Sequence, residues 1–193
     1  MLLPYIAQQV DKVLAKMKEL GHPMKIASSY RTWAEQDALY AKGRTKPGSI
    51  VTNARGGESW HNYKVAVDCC FTTCEAFGDS QPWHIYGQIA REYGFEWGGD
   101  WSTFKDRPHI QMTFGQSEFA LKPLGEQRAV ALLENLSNQN MENTPQLEQW
   151  QKDACKFIQD IGVSKGERPL ENITRVEVFE LIRKFYLYTI NKK

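Results

Sequence analysis

Apolar residues recur at helical spacing near the start of the chain. Ile6, Val10, Val13, Leu14, Met17 and Leu20 fall on one stripe, Pro4 suits a first helical turn, and Gly21 stops the pattern. An amphipathic helix with one buried face is predicted. The short run 24–28 reads as a strand, and Thr32 with Glu35 forms a capping-box signature that opens a second helix reaching 40–43. Arg31 therefore stands at a strand-to-helix junction, where side chains often face a cleft. Residues 45–62 are rich in Gly, Ser, Thr and Asn and read as a long loop; inside a compact domain such loops are usually either functional or disordered, and a functional one is expected here. Beyond it, 65–71 reads as a strand, 82–93 as a helix ended by Gly94, and 108–114 as another strand. The pattern predicts an α+β fold, a small antiparallel sheet with helices packed on one side.

The polar, aperiodic stretch 134–144 has the composition of a linker, so a first domain is predicted over 1–133 and a second over 145–193. In the second, Thr144-Pro145 opens a helix carrying Leu147, Trp150, Ala154, Phe157, Ile158 and Ile161. A loop with Gly166 and Pro169 follows, and Thr174 with Glu177 caps a last helix. This helix-loop-helix of roughly fifty residues is small for a free-standing core.

A length of 193 residues allows one well-packed domain and a small second one. The net charge of +1 removes the electrostatic surplus that favours polyanions, so nucleic acid is a poor partner. The first sixteen residues lack a basic leader and are broken by Pro4, Gln8, Gln9 and Asp11, so no secretory signal and a cytoplasmic origin are expected. No stretch approaches the roughly 18 apolar residues a membrane span requires. Cys69, Cys70, Cys74 and Cys155 lack a C-x-x-C spacing and are expected as free thiols. Six Trp, eight Tyr and nine Phe suit either a large core or a groove that stacks on an extended ligand.

Candidate chemistry gathers around two of the four histidines, in SWHNYKVAVD and DRPH. A catalytic zinc takes three nitrogen or carboxylate ligands and leaves a fourth position open for water, and His61, Asp68 and His109 meet that count. Strand alternation puts Asp68 on one face with Ala66, and His109 with Gln111 and Thr113. Two neighbouring strands can thus present both to one metal. Asp106 is the candidate general base, brought round by a bend at Pro108, with a loop cap or salt bridge as its ordinary alternative. Arg31 can stabilise an oxyanion, clamp a substrate carboxylate or merely pair with a surface acid. Asp100 in WGGDW is a rival carboxylate, and Trp97 and Trp101 serve equally as core or groove wall; Ser59 joins these three as a candidate substrate contact. His84, in a predicted first helical turn, reads as exposed and structural.

The segments SYRTWAEQDALYAKGRTKPGSIVT, GGESWHNYKVAVD, FEWGGDW and DRPHIQM, in that order over roughly residues 1–120, resemble the zinc D-alanyl-D-alanine carboxypeptidases and L-alanyl-D-glutamate endopeptidases, the latter common as phage endolysins. The resemblance implies zinc ligands at His61, Asp68 and His109, a catalytic carboxylate at Asp106 and an arginine near the transition state at Arg31. The GRT-x-PG-x-IVT stretch looks more like the endopeptidase branch. That implies a peptidoglycan hydrolase cleaving the L-alanyl-D-glutamate bond of stem peptides with zinc-activated water and reaching the wall after release from the host cytoplasm. A D-alanyl-D-alanine carboxypeptidase of the same fold and an inactive zinc-containing wall-binding protein are the alternatives. The chain departs from the family at Lys64, where the pattern has glycine; a positive φ there costs roughly 1 kcal/mol for a side chain. The tail resembles the S-layer-homology-like helical units of some endolysins through Trp150, Ala154, Gly162, Gly166, Pro169, Thr174, Arg175 and Glu177, which implies attachment to a secondary wall polymer.

Overall fold

A computed structural model describes residues 1–141, and residues 1–140 form one compact unit. The helix-loop-helix expected at 145–193, Cys155 included, lies outside the described residues. The first helix, α1 (Pro4–Glu19), buries Ile6, Val10, Val13 and Met17, the predicted stripe, while Leu20 stays exposed. After β1 (Met24–Ser28), α2 (Trp33–Ala41) opens on a reciprocal cap. Thr32 Oγ1 accepts from the Glu35 N–H at 3.2 Å, and the Thr32 N–H donates to Glu35 Oε2 at 2.8 Å, which satisfies two otherwise orphaned donors.

A 3₁₀ turn (Trp60–Tyr63) leads into β2 (Ala66–Phe71); then come α3 (Trp83–Glu92), β3 (Glu96–Trp97), β4 (His109–Gln111), α4 (Glu118–Leu121) and a helix α5 over 126–141. The strands form one antiparallel sheet in the order β1-β2-β4-β3. Val67, Cys69 and Ile110 join residues of α1, α3 and α5 in the core. Asp68, His109 and Gln111 alternate with them and line an open groove. The architecture is α+β, as expected. Cys69, Cys70 and Cys74 are free thiols, and no helix of the described residues is long and apolar enough to cross a membrane.

Three local differences from the sequence reading have physical causes. At two residues, β3 is too short to show a period. The strand expected over 108–114 stops at Gln111, because Phe114 (φ 52°) and Gly115 (φ 73°) turn the chain and the Gln116 N–H closes the turn on Thr113 O at 3.0 Å. The stretch expected as a linker from 134 begins inside α5, which continues through 141. That stretch holds neither Gly nor Pro, and buried Leu133 and Ser137 fix its inner face.

Lys64 follows the 3₁₀ turn in the left-handed region (φ 64°, ψ 23°), the conformation the family glycine suits. Its ammonium lies 5.1 Å from the centroid of the Tyr30 ring, a partial compensation. Lys64→Gly is expected to raise stability by about 0.5–1 kcal/mol, read as a higher urea midpoint at unchanged slope. A lower midpoint would show that the Tyr30 contact outweighs the backbone strain.

Candidate metal centre and active site

The β2–β4 register sets Asp68 directly opposite His109, so two inward side chains meet on one face. The third group, His61, comes from the 3₁₀ turn, which the long loop anchors firmly. Fully buried Asn62 donates from Nδ2 to Arg31 O at 2.8 Å and accepts the Gly57 N–H at 2.9 Å, and Tyr63 OH donates to Gly57 O at 2.7 Å. His61 Nδ1–H donates to Ser29 O at 2.7 Å, which leaves Nε2 free to face Asp68 Oδ1 at 3.2 Å. His109 Nδ1 lies 3.0 Å from the same oxygen.

The donor atoms of His61, Asp68 and His109 all lie within 4.8 Å of one another. Zinc bonds of about 2.05 Å at tetrahedral angles place donors about 3.3 Å apart, so the two measured edges of the triangle fit a zinc site with little movement. Both imidazoles are buried, at 4% and 5% exposure, which keeps water from competing on the protein side. Burial pushes the Asp68 carboxyl up, but the His109 and His61 rings that face it outweigh burial and hold the carboxyl well below the usual range. Burial lowers His109, and its bond to Asp68 more than reverses that.

Asp106 lines the groove beside this triangle. The bend predicted at Pro108 is fixed by backbone bonds: the Asp106 N–H donates to Gly98 O at 3.0 Å, and Asp106 O accepts the His109 N–H at 3.2 Å. Gly98 is required here, since a Cβ would sit 2.4 Å from Asp106 O. The carboxylate is half-buried and has no hydrogen-bond partner among the described residues; burial, then the neighbouring Asp68, raises its pKa. Arg31 faces the groove too and, among the described residues, pairs with no surface acid. Its Nη1 donates to Gln36 Oε1 at 2.6 Å and its Nη2 to Ser28 Oγ at 3.2 Å. Gln36 is fully buried and donates onward from Nε2 to Thr52 Oγ1 at 3.2 Å and Ala54 O at 2.8 Å.

The groove, of about 1180 Å³, also takes in Ser59 and Trp101, whose ring centroid is 5.3 Å from that of His109. Two candidates fall elsewhere. Trp97 turns its ring onto Gly87 and Gly99, where any Cβ would approach within 2.2 Å, and its Nε1 donates to Arg107 O at 2.7 Å, so it is a packing residue rather than a groove wall. Asp100 is exposed and pairs with Arg91 at 2.6 Å, outside the groove, which removes it as a rival carboxylate. His84 is exposed and apart from the site, as expected. Sequence reasoning passed over Gln36, Glu96, Gln111 and Glu118, all part of the site's surroundings. Only Gln111 carried a signal, its place two residues after His109 on the same strand face.

A family model described as D-alanyl-D-alanine carboxypeptidase matches residues 52–112. The chain is 40% identical over 122 residues to the peptidoglycan L-alanyl-D-glutamate endopeptidase CwlK of Bacillus subtilis, covering 58% of this chain and 73% of that protein. It is 60% identical over 118 residues to the L-alanyl-D-glutamate peptidase of a Listeria phage, covering 54% of this chain and 42% of the phage protein. Among solved structures, the L-Ala D-Glu endopeptidase ChiX of Serratia marcescens aligns with a TM-score of 0.42 at 24% identity, over 58% of this chain and 81% of that one.

Proposed function

The chain belongs to the family of zinc D-alanyl-D-alanine carboxypeptidases and L-alanyl-D-glutamate endopeptidases, and on that premise we propose that it hydrolyses the L-alanyl-D-glutamate bond of peptidoglycan stem peptides. The observation that carries the chemistry is the juxtaposition of the His61–Asp68–His109 donor triangle with the half-buried Asp106 carboxylate in one groove. The choice of bond rests on the two endopeptidase relatives.

His61 Nε2, Asp68 and His109 Nδ1 would hold the zinc. When bound, zinc supplies the Lewis acidity that activates water and polarises the scissile carbonyl. Asp106 accepts the proton of the attacking water and returns it to the leaving amine, a role favoured by the absence of a competing side-chain partner among the described residues. Arg31, held by Gln36 and Ser28, directs a fixed positive charge at the developing oxyanion or at a substrate carboxylate. Ser59 and the Trp101 ring border the peptide; Trp101, its ring tilted against that of His109, also covers the triangle on that side.

The stretch 145–193, outside the described residues, is proposed as the attachment module for a secondary wall polymer. Together the two parts suit a phage endolysin that is made in the host cytoplasm and acts on the cell wall after release. The test is digestion of purified muropeptides with and without a chelator, read by mass spectrometry. New amino-terminal D-glutamate in the zinc-loaded sample alone is the expected result. Release of free D-alanine instead would move the activity to the carboxypeptidase branch, and intact stems would end the peptidase reading.

A further inference from the structure

His61 and His109 each turn one ring nitrogen toward Asp68 and the other toward the protein. For His61 the outer partner is a backbone carbonyl, whose acceptor character is fixed by the peptide bond. For His109 it is a side-chain amide, which can present either an oxygen or an NH₂ group. His109 Nε2 lies 2.9 Å from Gln111 Oε1; Gln111 Nε2 donates to Glu96 Oε2 at 2.9 Å; and Thr113 Oγ1 donates to Glu96 Oε1 at 2.8 Å.

Only one arrangement of protons satisfies this chain. A carboxylate accepts and does not donate, so the Gln111 group facing Glu96 must be its NH₂. The amide oxygen then faces His109, which obliges His109 to carry its proton on Nε2. We propose that Glu96, through Gln111, sets the His109 tautomer and so keeps the Nδ1 lone pair directed at the metal position. Glu96 and Gln111 are positioning residues: neither belongs to the donor triangle. The antiparallel pairing of β3 with β4 sets Glu96 opposite Gln111, so the two-residue strand β3 acquires a purpose. Outer partners of metal-bound imidazoles characteristically contribute 10- to 100-fold in metal affinity.

The inference rests on the metal centre proposed above, and the experiment separates the two. Zinc affinity is measured by chelator competition for the full chain and for four variants: H109A, E96Q, Q111L and the exchange E96Q/Q111E. Glu96→Gln is isosteric at an exposed position, so folding is preserved; it frees the Gln111 amide to flip and offer NH₂ to His109. E96Q and Q111L are expected to bind zinc about 10-fold more weakly. The exchange restores an acceptor at 111 and a donor at 96, and is expected to return to within about 3-fold of the parent affinity. In long-range ¹H–¹⁵N spectra of metal-free protein, where Asp68 Oδ1 also competes for a proton on Nδ1, the Nε2-protonated share of His109 should be larger in the parent and the exchange variant than in E96Q. Unchanged zinc affinity in E96Q and Q111L, an exchange variant no tighter than E96Q, or the same tautomer in all forms would overturn the proposal while leaving the metal site standing. Full zinc affinity in H109A would overturn the metal site itself and this inference with it.

Discussion

Asp106→Ala is expected to bind zinc as the parent does and to lose about 10²–10⁴-fold in turnover on muropeptides, the usual contribution of a positioned general base. The separation of the two properties is what the geometry demands. Asp106 faces the groove without a hydrogen-bond partner among the described residues, so its removal breaks no network. The backbone bonds that hold its loop, Asp106 N–H to Gly98 O and His109 N–H to Asp106 O, persist when the side chain is shortened. His109 therefore keeps its place and the donor triangle stays intact. Metal analysis of the purified variant, beside its digestion kinetics, checks both halves. Loss of zinc together with turnover would make Asp106 a ligand or a support of one rather than the base.

Asp68→Asn should have the complementary outcome. Roughly 10–16 kcal/mol of zinc affinity spread over a four-coordinate site corresponds to about 3 kcal/mol per ligand, so zinc affinity should fall by about 100-fold or more. Asp68 Oδ1 is the oxygen both imidazoles face, at 3.2 and 3.0 Å, and an amide there brings neither negative charge nor a second equivalent acceptor. Chelator competition measures the loss, and a decrease under about 3-fold would remove Asp68 from the ligand set. The same triangle makes binding proton-coupled. Zinc takes His109 Nδ1 only without its proton, and because the bond to Asp68 outweighs burial the proton competes at higher pH than for an ordinary histidine. In the parent, affinity should therefore fall as pH drops through that raised range; removing the Asp68 charge should move the fall to lower pH.

What the sequence displayed and what it concealed divide by the range of the interactions. The α1 stripe, the Thr32–Glu35 cap and β1 depend on neighbours within a turn or two, and each was visible in the spacing of residues. Asp68 and His109 are 41 positions apart, yet strand alternation already placed them on matching faces, and only the register remained for the structure to supply. Trp97 and Asp100 were harder, because WGGDW is silent about which way a side chain turns. Two glycines, one of them in α3, make room for the Trp97 ring, and Arg91 of α3 draws Asp100 outward. The supports of the site were hidden for the same reason. Gln36 reads as an ordinary helix residue until the loop at 52–54 folds over it, and Glu96 as a surface acid until β3 pairs with β4.

Buried Gln36 carries a lesson for protein engineers. Its single amide grips the guanidinium with one end and the 52–54 segment with the other, so the two cannot be adjusted independently. A chimera that imports this segment from a relative to retarget the enzyme, without an acceptor side chain at 52 and the same backbone path at 54, would leave a buried amide donor unsatisfied and misalign Arg31. Such exchanges are best made by transplanting α2 and the segment as one cassette.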